Sequence, residues 1–388
     1  MGSGAQLRLG ALAAGFVPLL VAFGIALSLS SCGTCQATIR QSSIVPIAGQ
    51  TGNYDGVEID NSAHRLYIAD RTDKGVDVFD TSTANATYVG TIFVGALPNG
   101  LALAPDFDKL YVGLGNGTVA DIDTDPSSLT YYKVVGRIAI QAPSADLMDY
   151  SPQRQRVYVG AGNFVASINP NDDSVPGHFV IGAPVEQPRY NSGDGYVYVT
   201  SPAVDTLFQV DPTTGDIRQT YTLAGCKPSG LAINPKNQMA LMACQHGVMR
   251  LDVQSAAFGV LHNVSGGDVV SYDPAAQIFL VASPKLNPHS VVGVFDGDGN
   301  FVNSVTTDAG SHAAAYDSTH QLVYAPDARA NQGRLLSFDP NACAPPPQWT
   351  KFVGGFSLWL IPIALAALFL VWYARRVKPL PRTTLRGG

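Results

Sequence analysis

The chain has 388 residues, of which 46% are apolar and only 14% charged, with 39 glycines and 26 prolines. That much apolar material excludes a disordered chain, and many turn formers with little charge disfavour a helical bundle and favour short strands joined by turns. Residues 33–350 hold 17 of the 24 basic residues and all 30 acidic ones, a net −13 that repels phosphate backbones, argues against nucleic acid as a partner and suits cations or a basic protein surface.

Residues 1–31 read as a signal peptide or an N-terminal membrane segment, because the uncharged apolar run 11–29 follows Arg8. Leu29-Ser30-Ser31-Cys32 comes next. It resembles the bacterial lipobox, which implies lipidation at Cys32 and makes residues 32–43 a lipobox cysteine and linker. Ordinary cleavage and retention as an anchor stay open beside it.

The body is a repeat. A short apolar strand recurs as Leu66-Tyr67-Ile68-Ala69, Leu110-Tyr111-Val112-Gly113, Val157-Tyr158-Val159-Gly160, Val197-Tyr198-Val199-Thr200, Ala240-Leu241-Met242-Ala243, Phe279-Leu280-Val281-Ala282 and Leu322-Val323-Tyr324-Ala325, at a mean spacing of about 43 residues. A small-residue stretch such as Asn99-Gly100-Leu101-Ala102 or Ser229-Gly230-Leu231-Ala232 precedes most copies, and a strand ending in Asp or Asn follows each. Four strands in about 43 residues is the period of a propeller blade, and small residues suit an inner strand crowded at the axis. The expected fold is therefore all-β: a seven-bladed propeller of four-stranded antiparallel blades over residues 44–343. The seventh unit reaches only Phe338-Asp339, and Ser43-Ile44-Val45-Pro46-Ile47-Ala48 is an unclaimed strand ahead of the first. That strand is expected to close the ring by filling the empty outer slot.

The tetrapeptide Val197-Tyr198-Val199-Thr200, with its variants at Leu110 and Val157, resembles the signature of the YVTN-type β-propeller repeat. The resemblance covers about residues 44–340 and implies architecture rather than activity, because the repeat encodes packing.

After the body comes a Pro-rich linker, 344–351, then an uncharged apolar stretch, 352–373, long enough for a transmembrane helix. Arg375, Arg376 and Lys378 open the basic tail, 374–388. The positive-inside rule keeps that tail cytoplasmic and puts the propeller outside the cytoplasm, in the periplasm or at the cell surface.

Five cysteines in an exported chain invite pairing. Cys226 precedes the inner strand of blade five and Cys244 follows its second strand, so both loops emerge on one face and can pair; Cys35 and Cys343 would staple the ends of the ring, leaving Cys32 for lipid. A redox pair of Cys32 and Cys35 is the competing reading.

Ligands of propellers commonly meet the channel mouth where the chain enters each inner strand. The repeat places Asp55, Asn99, Ser144, Glu186, Ser229, Asp268 and His312 there, a polar set suited to Ca²⁺ or Mg²⁺ through its oxygens and, with His312, to Zn²⁺ or Mn²⁺. Loops after each second strand share that face: Asp70-Arg71, Asn116, Cys244-Gln245-His246, residues 285–289 and residues 327–329. His246 and His289 are candidate ligands or plain surface histidines. Asp296-Gly297-Asp298-Gly299-Asn300 begins like a calcium loop but lacks its later Gly and Glu, so a hairpin turn is expected. Asn85, Asn116 and Asn263 head glycosylation sequons.

No catalytic motif stands out, so the first expectation is a membrane-anchored, non-catalytic protein-binding or scaffolding module that uses its loop-rich face, alone or as an accessory subunit of a membrane complex. The second follows from other seven-bladed propellers that this chain resembles: a lactonase-like hydrolase, with the rim acids holding a cation and Glu186 or His312 as base.

Overall fold

The computed structural model describes residues 41–49, 52–284, 290–308, 310–329 and 332–341. Residues 11–29 and 352–373, the lipidation site Cys32, the Cys35–Cys343 pairing, and 285–289 with His289 lie outside them. Among the described residues no helix is long and apolar enough to cross a membrane; the helical pieces are two 3₁₀ turns, Pro105–Phe107 and Pro202–Val204.

Seven four-stranded antiparallel sheets follow one another along the chain, as the repeat predicts. Six blades are built from consecutive strands. The seventh takes its inner three from Ala315–Asp317, Leu322–Arg329 and Gln332–Phe338, and its outer one from Gln41–Pro46 at the other end of the sequence. Ile44 faces Leu336 and Val45 faces Leu335 in that pairing, and Ile47 N continues it to Gly333 O at 2.9 Å. The ring therefore closes through the expected strand, which begins two residues earlier than Ser43.

Alternation in the second and third strands sends side chains to both faces of each sheet, and both faces are covered by a neighbouring blade. The buried apolar residues accordingly fall into clusters lying between consecutive blades; one joins Tyr111 and Val119 of blade two to Val157 and Val159 of blade three, and another joins Tyr324 and Leu335 of blade seven to Leu66 and Phe79 of blade one. Tyr67, Tyr111, Tyr158, Tyr198 and Tyr324 are buried at equivalent places. Tyr324 falls where Tyr67 falls because Asp317 faces Leu322 just as Asp60 faces Arg65. The blade-seven repeat is thus Val323 to Pro326, one residue later than the apolar pattern suggests.

Inner strands are small where blades meet at the axis. A Cβ on Gly230 would lie 2.1 Å from Asp268 O, and one on Gly100 would lie 2.5 Å from Leu147 Cα. These glycines let neighbouring backbones approach.

Candidate functional site

The strand register fixes which inner-strand residues share a level. Val57, Leu101, Met148, Pro188, Leu231 and Val270 each face the third residue of their blade's repeat motif. Two residues earlier on each strand stand Asp55, Asn99, Asp146, Glu186, Ser229 and Asp268, with His312 equivalent in blade seven. Six of the seven expected rim positions hold. In blade three the rim residue is Asp146 rather than Ser144, whose hydroxyl instead lies 3.3 Å from Asn99 Nδ2.

Rim side chains engage one another or adjacent loops. Arg71 Nη1 donates to Asp55 Oδ2 at 2.6 Å, and His312 Nδ1 lies 2.5 Å from Asp268 Oδ2. Asn99 Nδ2 donates to Ala145 O at 2.7 Å, and Ser229 Oγ to Gly267 O at 3.0 Å. Burial raises the Asp55 carboxyl, with Asp268 adding to the rise and Arg71 opposing it. Asp146 is pushed up to about 6, by burial first and by Asp55 next. The mouth thus concentrates negative charge, offset by Arg71. Among the described residues no three His, Cys, Asp or Glu side chains converge closely enough to hold a metal ion; the rim offers pairs.

Below the rim, Leu147, Val269 and Ala313 form an apolar cluster at the axis, with Val57 packed on it. Gln187 stands at the same level and is buried. Its Oε1 accepts from Leu231 N at 2.7 Å, and its Nε2 donates to Val270 O at 3.4 Å. Inner strands leave one backbone edge facing the channel, and buried edge groups need partners; Gln187 of blade four supplies them for blades five and six.

Three residues past the rim, about 10 Å deeper at strand rise, a second polar level appears: Glu58, Asp149, Arg189 and Ser271. It was not singled out in the sequence. These residues line a cavity of about 430 Å³ that runs past Asn61, Pro235 and Pro274 at the far ends of the inner strands, so it opens on the face opposite the rim. Arg189 donates Nε to Leu231 O at 3.0 Å, Nη1 to Met148 O at 3.0 Å and to Asp149 Oδ1 at 3.2 Å, and Nη2 to Val270 O at 3.4 Å. Asp149 also accepts from Tyr190 N at 2.6 Å. Burial raises the Asp149 carboxyl and Arg189 opposes the rise. Glu58 is pushed up to about 7 by burial, with Arg189 opposing.

On the loop face, Cys226 and Cys244 are disulfide-bonded with Cα atoms 4.7 Å apart, as the spacing suggested. His246 is exposed. Asp296 Oδ1 accepts from Asp298 N and Asn300 N, and Gly299 takes φ +77°, so the calcium-like segment is a hairpin turn.

Comparison with protein-family models and with curated protein sequences gives no match. Among solved structures, a chain of Kuenenia stuttgartiensis hydrazine synthase superposes with a TM-score of 0.63 at 13% identity, covering 74% of this chain and 96% of that one. Likeness at that identity is one of fold.

Proposed function

We propose that this protein is a membrane-anchored, extracytoplasmic propeller of the YVTN type that acts as a non-catalytic binding module, presenting its loop-rich face to a protein partner. A β-propeller is a rigid ring that commonly serves as a platform for protein interactions, and loops of differing length on a rigid frame are its usual recognition surface. The observation that carries the reading is the state of the rim. Asp55 is spent on Arg71, and Asp268 and His312 on each other, directly above an apolar cluster, so these side chains brace the mouth and leave recognition to the loops around it. Apolar segments at both ends of the chain and the arginine-rich tail support the anchoring.

The test is purification of the full chain from its native membrane in mild detergent, followed by native mass analysis. A stoichiometric complex larger than the 40.8 kDa chain is expected, and replacing Gln245 and His246 by residues of opposite character should weaken it. A chain that leaves the membrane in carbonate, or that runs alone and turns over a sugar lactone, overturns the proposal.

A further inference from the structure

The cavity on the face opposite the rim has one feature that packing does not account for. Glu58 lines it from blade one, and its carboxylate, though Arg189 is near enough to oppose its rise, makes no hydrogen bond or ion pair among the described residues, whereas the two charged groups near it are committed. Asp149 is held by Arg189 and by Tyr190 N. Arg189 has five N–H donors and places four hydrogen bonds, three of them on backbone carbonyls, so at most one donor is left. Tyr272, on the wall of the same cavity, has a buried hydroxyl without a partner among the described residues. A lone carboxylate in a concave, partly apolar site either takes up a proton or meets a cation brought from outside.

The geometry points to a binding site for a small organic ammonium ion, its N⁺–H on the Glu58 carboxylate and its hydrocarbon portion against Ile59, Ala232, Ile233 and Val269. A cavity of about 430 Å³ is in the range of small-molecule sites. An ammonium rather than an anion is selected because Asp149 and Asp273 are also in the wall and Arg189 keeps little donor capacity. The site is independent of the loop-rich face and of any partner there.

The affinity is coupled to pH. Glu58 faces Asp149 from blade three, Arg189 and Tyr190 from blade four, Tyr272 and Asp273 from blade six, and Tyr316 from blade seven. With its carboxyl near 7, Glu58 is mostly protonated at pH 5.5 and mostly ionised at pH 8, so binding strengthens as pH rises.

Equilibrium dialysis of the full chain in detergent, with n-butylammonium as probe and n-butanol as its neutral isostere, tests this. One saturable equivalent of n-butylammonium is expected at pH 8, with affinity at least about tenfold weaker at pH 5.5 and for n-butanol, a difference of about 1.4 kcal/mol. Glu58→Gln, checked for an unchanged melting temperature, should lose at least as much, while Asp216→Asn on the surface should lose nothing. The pH comparison needs no variant, so a misfolded Glu58→Gln leaves the test intact. No saturable binding at pH 8, equal binding of n-butanol, or binding indifferent to pH overturns the inference. Tighter binding of the peptide Gly-Lys-Gly than of n-butylammonium overturns the assignment to a free amine and transfers the site to a lysine side chain.

Discussion

Asp70 and Asp77 sit side by side in blade one, both buried, with Oδ2 of each and the nearby Tyr54 hydroxyl lacking partners among the described residues. Burial and the neighbouring Asp70 push Asp77 up to about 8, although Thr91 donates to it. Asp77 therefore keeps a proton in the folded protein between about pH 4 and pH 8 that the unfolded chain has released. The native state binds more protons there, so stability is greatest at the acidic end of that window and falls as pH rises through it. Asp77→Asn replaces the proton by an amide that cannot ionise. It should leave the melting temperature nearly unchanged at pH 5 and raise it at pH 9, read by calorimetry at both; a variant equally destabilised at the two would show that the carboxyl has another task. The inner-strand glycines make a second residue-level prediction. Gly230→Ala forces a Cβ onto the backbone of the next blade and should cost about 3 kcal/mol or more. Gly259→Ala meets nothing within 4 Å and should stay within about 0.5 kcal/mol in urea unfolding.

At the scale of the element, the disulfide is the clearest device. It joins the loop entering blade five to the end of that blade's second strand, 18 residues on. Closing a loop of that size restricts the unfolded chain by about 3 kcal/mol. Cys226→Ala with Cys244→Ala should lower stability by roughly that amount in denaturant titration. The blade itself was legible because each second strand carries Tyr or Leu between apolar residues, in a phase that holds for six blades and slips by one residue in the seventh. Closure was legible because one strand stood unclaimed. The rim was legible in six blades but shifted in the third, where Ser144 resembles Ser229 in type while the pairing of Met148 with Val159 puts Asp146 at the mouth. Glu58, Asp149 and Arg189 escaped because no local motif joins them. They stand in three blades, and only the register between inner and second strands reveals their common level. Arg189 has no sequence signal of its own; its task is to satisfy carbonyls of blades three, five and six.

At the scale of the whole molecule, the ring makes distant residues interdependent. Each blade buries both faces against neighbours, so no blade is stable with one neighbour missing, and the join between blades seven and one depends on the strand Gln41–Pro46 and on Ile47 just beyond it. Ile47 is buried among Tyr54 and Leu66 of blade one and Leu335 of blade seven. Ile47→Ala removes that wedge and should cost about 2–4 kcal/mol. Because the ring opens only as a unit, the loss should appear as a lower midpoint of one cooperative transition reported alike by far-ultraviolet circular dichroism and by tyrosine fluorescence, since all three tryptophans follow the last blade. An open-ended stack of blades would respond differently: the terminal blades would melt first, as in linear repeat arrays where neighbours couple only in pairs. Two separated transitions in Ile47→Ala, with the central blades melting at the parent temperature, would show that closure is dispensable and that the ring is held by local contacts alone.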